Sequence, residues 1–255
     1  MTFRTAAVSA LTVVVATACA TSPTGRKQLR LVSDTEMSQM GIAAFQKLKT
    51  ETPPTQNGKV NGYVQCVAGA ITREVGGTWE VQVFESKDVN AFALPGGKIG
   101  VYTGLLQVAA NQGQLAAVIG HEVSHVIAGH SASRVSNEMA AQLGVSVLAS
   151  TTGLSPDMMG MGANLLLLLP FSRGDESEAD ILGQQLMARA GFDPAEAPNL
   201  WVNMAKGGNG APPELLSTHP SASTRIQDLN NNLTRTRPLY EQARAAGKKP
   251  ACKAT

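Results

Sequence analysis

The chain has 255 residues, of which 43% are hydrophobic, and it is long enough for one catalytic domain with a sizeable core. Its 21 basic residues are nearly balanced by 19 acidic ones, for a formal net charge of +2. Such a balance creates no strong field and argues against nucleic acid as a partner.

The N-terminus is typical of an exported lipoprotein. Residues 1–18 contain one arginine and an uncharged apolar stretch too short to span a bilayer, which predicts a signal peptide. Cys19 follows directly and is the predicted lipidation site, at the start of a polar tether over 19–33. The residue after this cysteine is Ala20 rather than an aspartate, which resembles the pattern of outer-membrane lipoproteins of Gram-negative bacteria. We therefore expect a lipid anchor at the periplasmic face of the outer membrane; ordinary signal-peptide cleavage would instead leave a soluble periplasmic protein.

Residues 34–255 are predicted to form a single α+β domain, mainly helical with a small antiparallel sheet. Helical spacing of apolar residues predicts a first helix from Ser33 or Asp34 and a second over 59–75. The alternation in "TWEVQVFES", and the "PGG" between "VNAFAL" and "KIGVYT", predict a strand and a hairpin.

Further helices follow the sheet. The segment "NQGQLAAVIGHEVSHVIAGH" at 111–130 is apolar on every side, so we expect it to be one buried helix. "DESEADILGQQLMARAG" predicts another helix, and "SASTRIQDLNNNL" starts the last one. The Met-rich stretch at 154–163 is either a lid over a cleft or a flexible surface loop.

Three cysteines are present. If Cys19 carries lipid, Cys66 and Cys252 remain as an even pair in an oxidising compartment. We hypothesise a disulfide between them that pins the basic C-terminal tail; the alternative is two free thiols.

The string "HEVSH" predicts a metal site. On a helix, His121 and His125 lie one turn apart on one face, with Glu122 reaching toward the same ion. Neutral imidazoles suit zinc, and two of them leave room for a third ligand and a water. We expect one Zn²⁺ per chain, with Glu122 as general base on that water. The alternative is a histidine pair satisfied by backbone carbonyls.

The third ligand is predicted from the helix beginning at "DESEAD". At about 100° per residue, Glu176 and Asp180 lie about 40° apart on the apolar side. Glu178 lies near 200° with the polar residues, and Arg189 is its expected neighbour. Glu176 is therefore the predicted ligand, and Asp180 the predicted partner of a ligating histidine, most simply His121.

His130 is not expected to share the metal. On the wheel of the predicted 111–130 helix, His130 lies roughly opposite His121.

Four ordered motifs resemble one protein family. They are "NAFALPGGKIGVYTGLL", "HEVSHVIAGH", "PFSRGDESEADILGQQLMARAGFDP" and "STHPSASTRIQDL". Together they resemble the CAAX-prenyl-protease and HtpX type of zinc metallopeptidases, gluzincins, in a periplasmic lipoprotein branch. The resemblance implies Glu176 as third ligand with Asp180 beside it. It also implies that His219, with Arg225, lies near the metal, where His219 either stabilises an oxyanion or gates the site.

The function expected from these features is zinc-dependent endopeptidase activity in the cell envelope. Polypeptides are the expected substrates, in particular misfolded outer-membrane or periplasmic proteins. A peptide could add to the edge of the predicted hairpin. The alternative hypothesis is an envelope chaperone or assembly factor with a latent or structural zinc site.

Overall fold

The computed structural model describes residues 19–147, 166–167, 170–206, 215–219 and 224–253. The predicted signal peptide and the Met-rich stretch at 154–163 lie outside these residues.

Helices make up most of the described chain, and short strands lie near its start and in its first half. In chain order the elements are β1 (Cys19–Thr21), β2 (Lys27–Leu29), α1 (Asp34–Glu51), α2 (Gly58–Thr72), β3 (Glu80–Phe84), β4 (Ala91–Leu94), β5 (Lys98–Tyr102), a 3₁₀ turn (Thr103–Gln107), α3 (Gln112–Ile127), α4 (His130–Val147), α5 (Arg173–Arg189), α6 (Glu196–Lys206), α7 (Leu215–Thr218) and α8 (Arg225–Ala245). The predicted fold class, mainly helical α+β, is confirmed.

The larger sheet has the strand order β3-β5-β4 and is mixed. Strands β4 and β5 form the expected antiparallel hairpin, with Ala93 opposite Ile99. Strand β3 runs parallel to β5, with Val83 opposite Val101. The chain reverses direction twice between β3 and β5, so these two strands point the same way, and β4 is left at the edge.

The sheet has a hydrophobic cluster on each face. Val83 packs into the larger cluster, with α2, α3, α5 and α6. Phe84, the next residue, packs into the smaller one, with α1 and α4. This is the side-to-side alternation that the sequence predicts for β3.

Helix α3 is the centre of the fold. Every residue from Gly113 to His125 is buried, as its all-round apolar character predicts. It packs most extensively against α5. The two helices touch backbone to backbone, because a Cβ added to Gly120 would lie 2.8 Å from the Gly183 carbonyl oxygen. A Cβ added to Gly183 would lie 2.7 Å from the His121 backbone nitrogen.

The predicted helix over 111–130 is two helices. Helix α3 ends at Ile127, and Gly129 adopts φ +71°, the left-handed conformation that terminates helices. The chain reverses there, and His130 begins α4 on the same side as His125. The wheel placement of His130 opposite the metal site was therefore wrong, since a wheel holds only within one helix.

The segment expected to be a polar tether packs onto the domain. Strands β1 and β2 pair as a small antiparallel hairpin, with Cys19 opposite Leu29. The backbone N–H of Leu31 donates to Ser136 Oγ of α4 at 2.8 Å, and Gln28 is buried. Arg26, in the turn between the strands, reaches α5. Charge pairing explains this docking, which apolar patterning alone does not reveal.

The C-terminal tail is also held down. Cys252 forms a disulfide with Cys66 of α2, with their Cα atoms 5.7 Å apart. Gln112, at the start of α3, accepts from the Cys252 N–H at 2.8 Å and donates to the Pro250 carbonyl at 3.0 Å. Among the described helices, none combines the length and apolar character needed to cross a bilayer.

We predict that Gly183→Ala destabilises the protein. Alanine favours a helix more than glycine by roughly 1 kcal/mol, but the added Cβ would force α5 away from α3, and overpacking of this kind costs about 1–3 kcal/mol. Thermal unfolding should show a lower midpoint. The matched control is Gly62→Ala on α2, where a Cβ meets nothing within 4 Å and should stabilise. Equal effects of both substitutions would contradict the close packing.

We predict that Cys252→Ser lowers the free energy of unfolding by about 2–5 kcal/mol, because the cross-link restricts the unfolded chain. Denaturant unfolding of the oxidised protein measures this. Thiol titration of the unfolded wild type, before and after reduction, is the control and should differ by the two thiols of Cys66 and Cys252. An unchanged thiol count would exclude the disulfide.

Candidate metal centre

Four buried side chains from three parts of the chain meet at one point. Helix α3 contributes His121 and His125, α5 contributes Glu176, and His219 follows α7 directly. One ligand atom from each residue lies within 4.8 Å of all the others. The three predicted ligands are thus brought together, and His219, predicted to lie near the metal, is placed among them.

The separations of these atoms suit a tetrahedral ion. His121 Nε2 lies 3.0 Å from His125 Nε2 and 3.5 Å from Glu176 Oε2. His125 Nε2 lies 3.4 Å from Glu176 Oε1. Zinc–nitrogen bonds of about 2.0–2.1 Å place tetrahedral ligand atoms about 3.3 Å apart. Glu176 Oε2 is also buried without a hydrogen-bond partner. Arg225 Nη1 lies 3.0 Å from that oxygen but does not donate a hydrogen bond to it. Two imidazole nitrogens and a carboxylate oxygen at these separations are a donor set that fits zinc.

Asp180 lies behind His121, as predicted. Its Oδ1 is 3.0 Å from His121 Nδ1, on the far side of the ring from the other ligand atoms. Burial by itself would raise the pKa of Asp180, but the adjacent Arg225 guanidinium and His121 hold it below its ordinary value. A carboxylate here accepts the Nδ1 hydrogen and leaves the Nε2 lone pair directed inward.

Arg225 lies next to the predicted ligands, as the resemblance implies, with Nη2 3.2 Å from His121 Nε2. Its Nε and Nη2 donate to the two Asp180 oxygens at 2.5 and 2.8 Å, and Nη1 lies 3.0 Å from Glu176 Oε2. Its guanidinium also stacks over the Trp201 ring at 3.6 Å. With these contacts Arg225 compensates the buried carboxylates from the α8 side. It does not line the cleft that contains Glu122 and His219.

Glu122 and His219 share that cleft. Glu122 Oε1 is buried without a hydrogen-bond partner and lies 3.5 Å from His219 Nε2. The other ring nitrogen of His219, Nδ1, is 2.9 Å from Glu176 Oε1. The carboxylate of Glu122 is therefore held beside the ligand atoms with an oxygen available for a water or a substrate group.

The cleft is about 250 Å³ in volume and is bordered by strand β4. In the described part of the chain, β4 pairs only with β5, so its other edge is not used by the sheet. An extended peptide could pair with such an edge. The lining residues are Leu48, Asp88, Asn90, Ala91, Phe92, Ala93, Tyr102, Glu122, Arg134, Leu166, Leu167, Phe171, Thr218 and His219.

Glu178 is buried, and the prediction that it faces outward beside Arg189 was wrong. It is 3% exposed, because the β1–β2 hairpin covers it. Burial by itself would raise its pKa, but hydrogen bonds from Ser22, Thr24 and His130 lower the pKa to about 2. The wheel placed Glu178 correctly relative to Glu176 but could not show what covers that side.

Two contacts of His125 are not predicted from the sequence. Phe171, which comes just before α5, stacks on its ring with centroids 3.8 Å apart. His130 Nδ1 lies 2.9 Å from its Nδ1. The only sequence signal for His130 was Gly129 just before it, as a helix terminator.

A histidine pair on one helix, joined by a glutamate from a later helix, is the ligand arrangement of the gluzincin class. The model of Peptidase family M48 matches residues 54–233, more than half of the chain, and the chain belongs to this family.

Curated relatives come from mitochondria and bacteria. The chain is 41% identical over 153 residues to "Mitochondrial metalloendopeptidase OMA1" of Schizosaccharomyces pombe, covering 59% of this chain and 45% of that protein. With the Arabidopsis thaliana protein of that name, identity is 42% over 163 residues, covering 64% and 33%. With "Beta-barrel assembly-enhancing protease" of Yersinia pestis, it is 29% over 220 residues, covering 80% and 45%. The chain thus spans less than half of each of these relatives.

We predict that Glu176→Gln lowers zinc affinity by more than the roughly 10–100-fold typical for loss of an outer partner. The substitution removes the negative charge and one of the donor atoms around the ion. Competition with a chromogenic chelator measures the affinity. The control is Glu80→Gln, which removes a carboxylate paired with Lys49 and Lys98 on the sheet. If both variants bound zinc equally well, Glu176 would not be a ligand.

Proposed function

We propose that the protein is a zinc-dependent endopeptidase. The observation that carries this proposal is the position of Glu122, whose unpartnered carboxylate oxygen lies beside the converging side chains of His121, His125 and Glu176 in a cleft. Membership of Peptidase family M48 supports it. The chain spans less than half of the named relatives, and the activity of the whole protein is part of this proposal.

Each side chain has a role in the proposed reaction. Zinc, when bound, lowers the pKa of a water and polarises a peptide carbonyl. Glu122 accepts a proton from the attacking water and then delivers it to the leaving amine. His219 Nε2, on the Glu122 side of its ring, donates to the developing oxyanion. The peptide lies extended along the free edge of β4.

We propose an envelope location with Cys19 as the lipid anchor. Cys19 is exposed at the start of β1, and the docked hairpin would hold the domain close to the membrane surface. The apolar stretch before Cys19 is the sequence feature that supports lipidation at this residue. Misfolded outer-membrane or periplasmic proteins are the proposed substrates, supported by the relatives named for enhancing β-barrel assembly.

The second candidate function is chaperone or assembly activity with a latent or structural zinc site. The position of His219 favours it, since its Nδ1 lies 3.2 Å from His121 Nε2 among the ligand atoms. With four protein ligands a zinc site is closed, as structural sites are. Zinc content does not separate the two candidates, but removal of the base does.

We predict that Glu122→Gln retains stoichiometric zinc and lowers the rate of casein cleavage by about 10²–10⁴-fold, the usual contribution of a general base. Activity and zinc content are measured on the same preparation. The control is Glu51→Gln, at an exposed ion pair with Lys47 on α1. Wild-type cleavage should stop with chelator and return with zinc.

The same variant decides between the candidates in the cell. Full rescue of a deletion phenotype by Glu122→Gln would contradict proteolysis as the function and favour the chaperone. Failure to rescue, with envelope proteins captured uncut on the inactive variant, would support the peptidase and identify its substrates.

A further inference from the structure

In each predicted histidine ligand, the ring nitrogen that faces away from the metal site is linked to a carboxylate of α5, either directly or through another side chain. His121 Nδ1 reaches Asp180 directly, at 3.0 Å. His125 Nδ1 lies 2.9 Å from His130 Nδ1, and His130 Nε2 lies 3.2 Å from Glu178 Oε2. We propose that His130 and Glu178 are positioning residues that hold His125 in the tautomer and orientation that metal binding requires. This inference rests on the proposed zinc centre.

We call the hydrogen-bonded series His125–His130–Glu178 the relay. The two ring nitrogens of His125 determine which residue in it donates each hydrogen. Its Nε2 faces the other ligand atoms, 3.0 Å from His121 Nε2. A neutral imidazole that binds a metal through Nε2 carries its hydrogen on Nδ1. His125 Nδ1 therefore donates, and His130 Nδ1 must accept. The hydrogen of His130 is then on Nε2, which lies 3.2 Å from Glu178 Oε2 and 3.8 Å from Asp175 Oδ1, so Glu178 is its hydrogen-bond acceptor.

Glu178 is fixed by the N-terminal hairpin. The backbone N–H and the hydroxyl of Thr24 donate to Glu178 Oε1 at 3.1 and 2.7 Å. Arg26 Nη1 donates to Oε2 at 3.0 Å. An ionised carboxylate only accepts hydrogen bonds, and each contact of Glu178 brings a donor to it. The hairpin thus orients the carboxylate, and through His130 it orients a predicted metal ligand.

The relay is buried along its length, so water does not replace a lost partner. His125 and His130 have no exposed surface, and Glu178 has almost none. An imidazole N–H without an acceptor in such surroundings would let the His125 ring turn or change tautomer. Loss of an outer partner of this kind weakens metal binding by roughly 10–100-fold.

Histidine tautomers measured by ¹⁵N NMR test the relay directly. In the zinc-loaded protein, we expect the hydrogen of His125 on Nδ1 and that of His130 on Nε2. A hydrogen on His130 Nδ1 would overturn the proposal, because that nitrogen could no longer accept from His125. This measurement uses the wild type and does not depend on a variant that folds.

Two variants of His130 separate hydrogen bonding from packing. In His130→Phe the ring remains but the acceptor is lost, and we expect zinc affinity to fall roughly 10–100-fold. In His130→Asn the amide oxygen replaces Nδ1, and affinity should recover most of this loss. Chelator competition measures both, and circular dichroism checks the fold. A purely structural role for the ring predicts the opposite order, with Phe tolerated better than Asn.

Substitution of Glu178 tests the far end of the relay. In Glu178→Gln one amide N–H must face either Thr24 or the pair of Arg26 and His130, which are donors themselves. We expect zinc affinity to fall by roughly 10-fold or more. The matched control is Glu80→Gln, which should bind zinc as the wild type does.

The outcomes are distinguishable from those of the proposed function. A wild type that binds no zinc would overturn both. A wild type that binds zinc, with folded His130→Phe and Glu178→Gln variants of equal affinity, would overturn the relay alone. Reduced affinity in these variants, with Glu80→Gln unchanged, would support the relay whatever the natural substrate is.

Discussion

The close packing of α3 against α5 is the constraint on which the structure depends. Gly120 and Gly183 let the two backbones meet, since a Cβ at either position would collide with the opposite helix. This approach brings the Glu176 carboxylate to the imidazoles of His121 and His125. The three ligand side chains can therefore converge only because both positions are glycine, although alanine has the higher helix propensity.

Buried charge determines how the remaining elements are arranged. Helix α5 brings three carboxylates into the interior, and each must meet a cation or hydrogen-bond donors. Arg225 from α8 pairs with Asp180, while Arg26 from the N-terminal hairpin pairs with Glu178. The N-terminal hairpin and α8, which lie near the two ends of the described chain, thus both contact α5 beside the predicted metal site. Each arginine thus pairs with a carboxylate that contacts a histidine, since Asp180 contacts His121 and Glu178 contacts His130.

The residues proposed to act on the substrate lie on a different side of the ligand atoms from the residues that hold the ligands in place. Glu122 and His219 face the cleft beside β4, whereas Asp180, Arg225, Glu178 and His130 lie behind the ligand atoms. Changes behind the ligands should first affect metal affinity, and changes in the cleft should first affect turnover. The M48 match covers the predicted ligands and every cleft residue except Leu48, but it begins after the N-terminal hairpin, at residue 54. The hairpin that contacts Glu178 therefore lies outside the matched segment, whereas Glu178 lies within it.

The sequence by itself determined relations within single elements. The HExxH spacing brought His121 and His125 together, and the period of α5 set Glu176 and Asp180 on one side, because both depend only on local helix geometry. Tertiary structure decided what covers each side. Gly129 turned His130 back toward His125, the hairpin buried Glu178, and α8 directed Arg225 to Asp180. These contacts join residues far apart in the chain, and no local period encodes which distant charge will meet them.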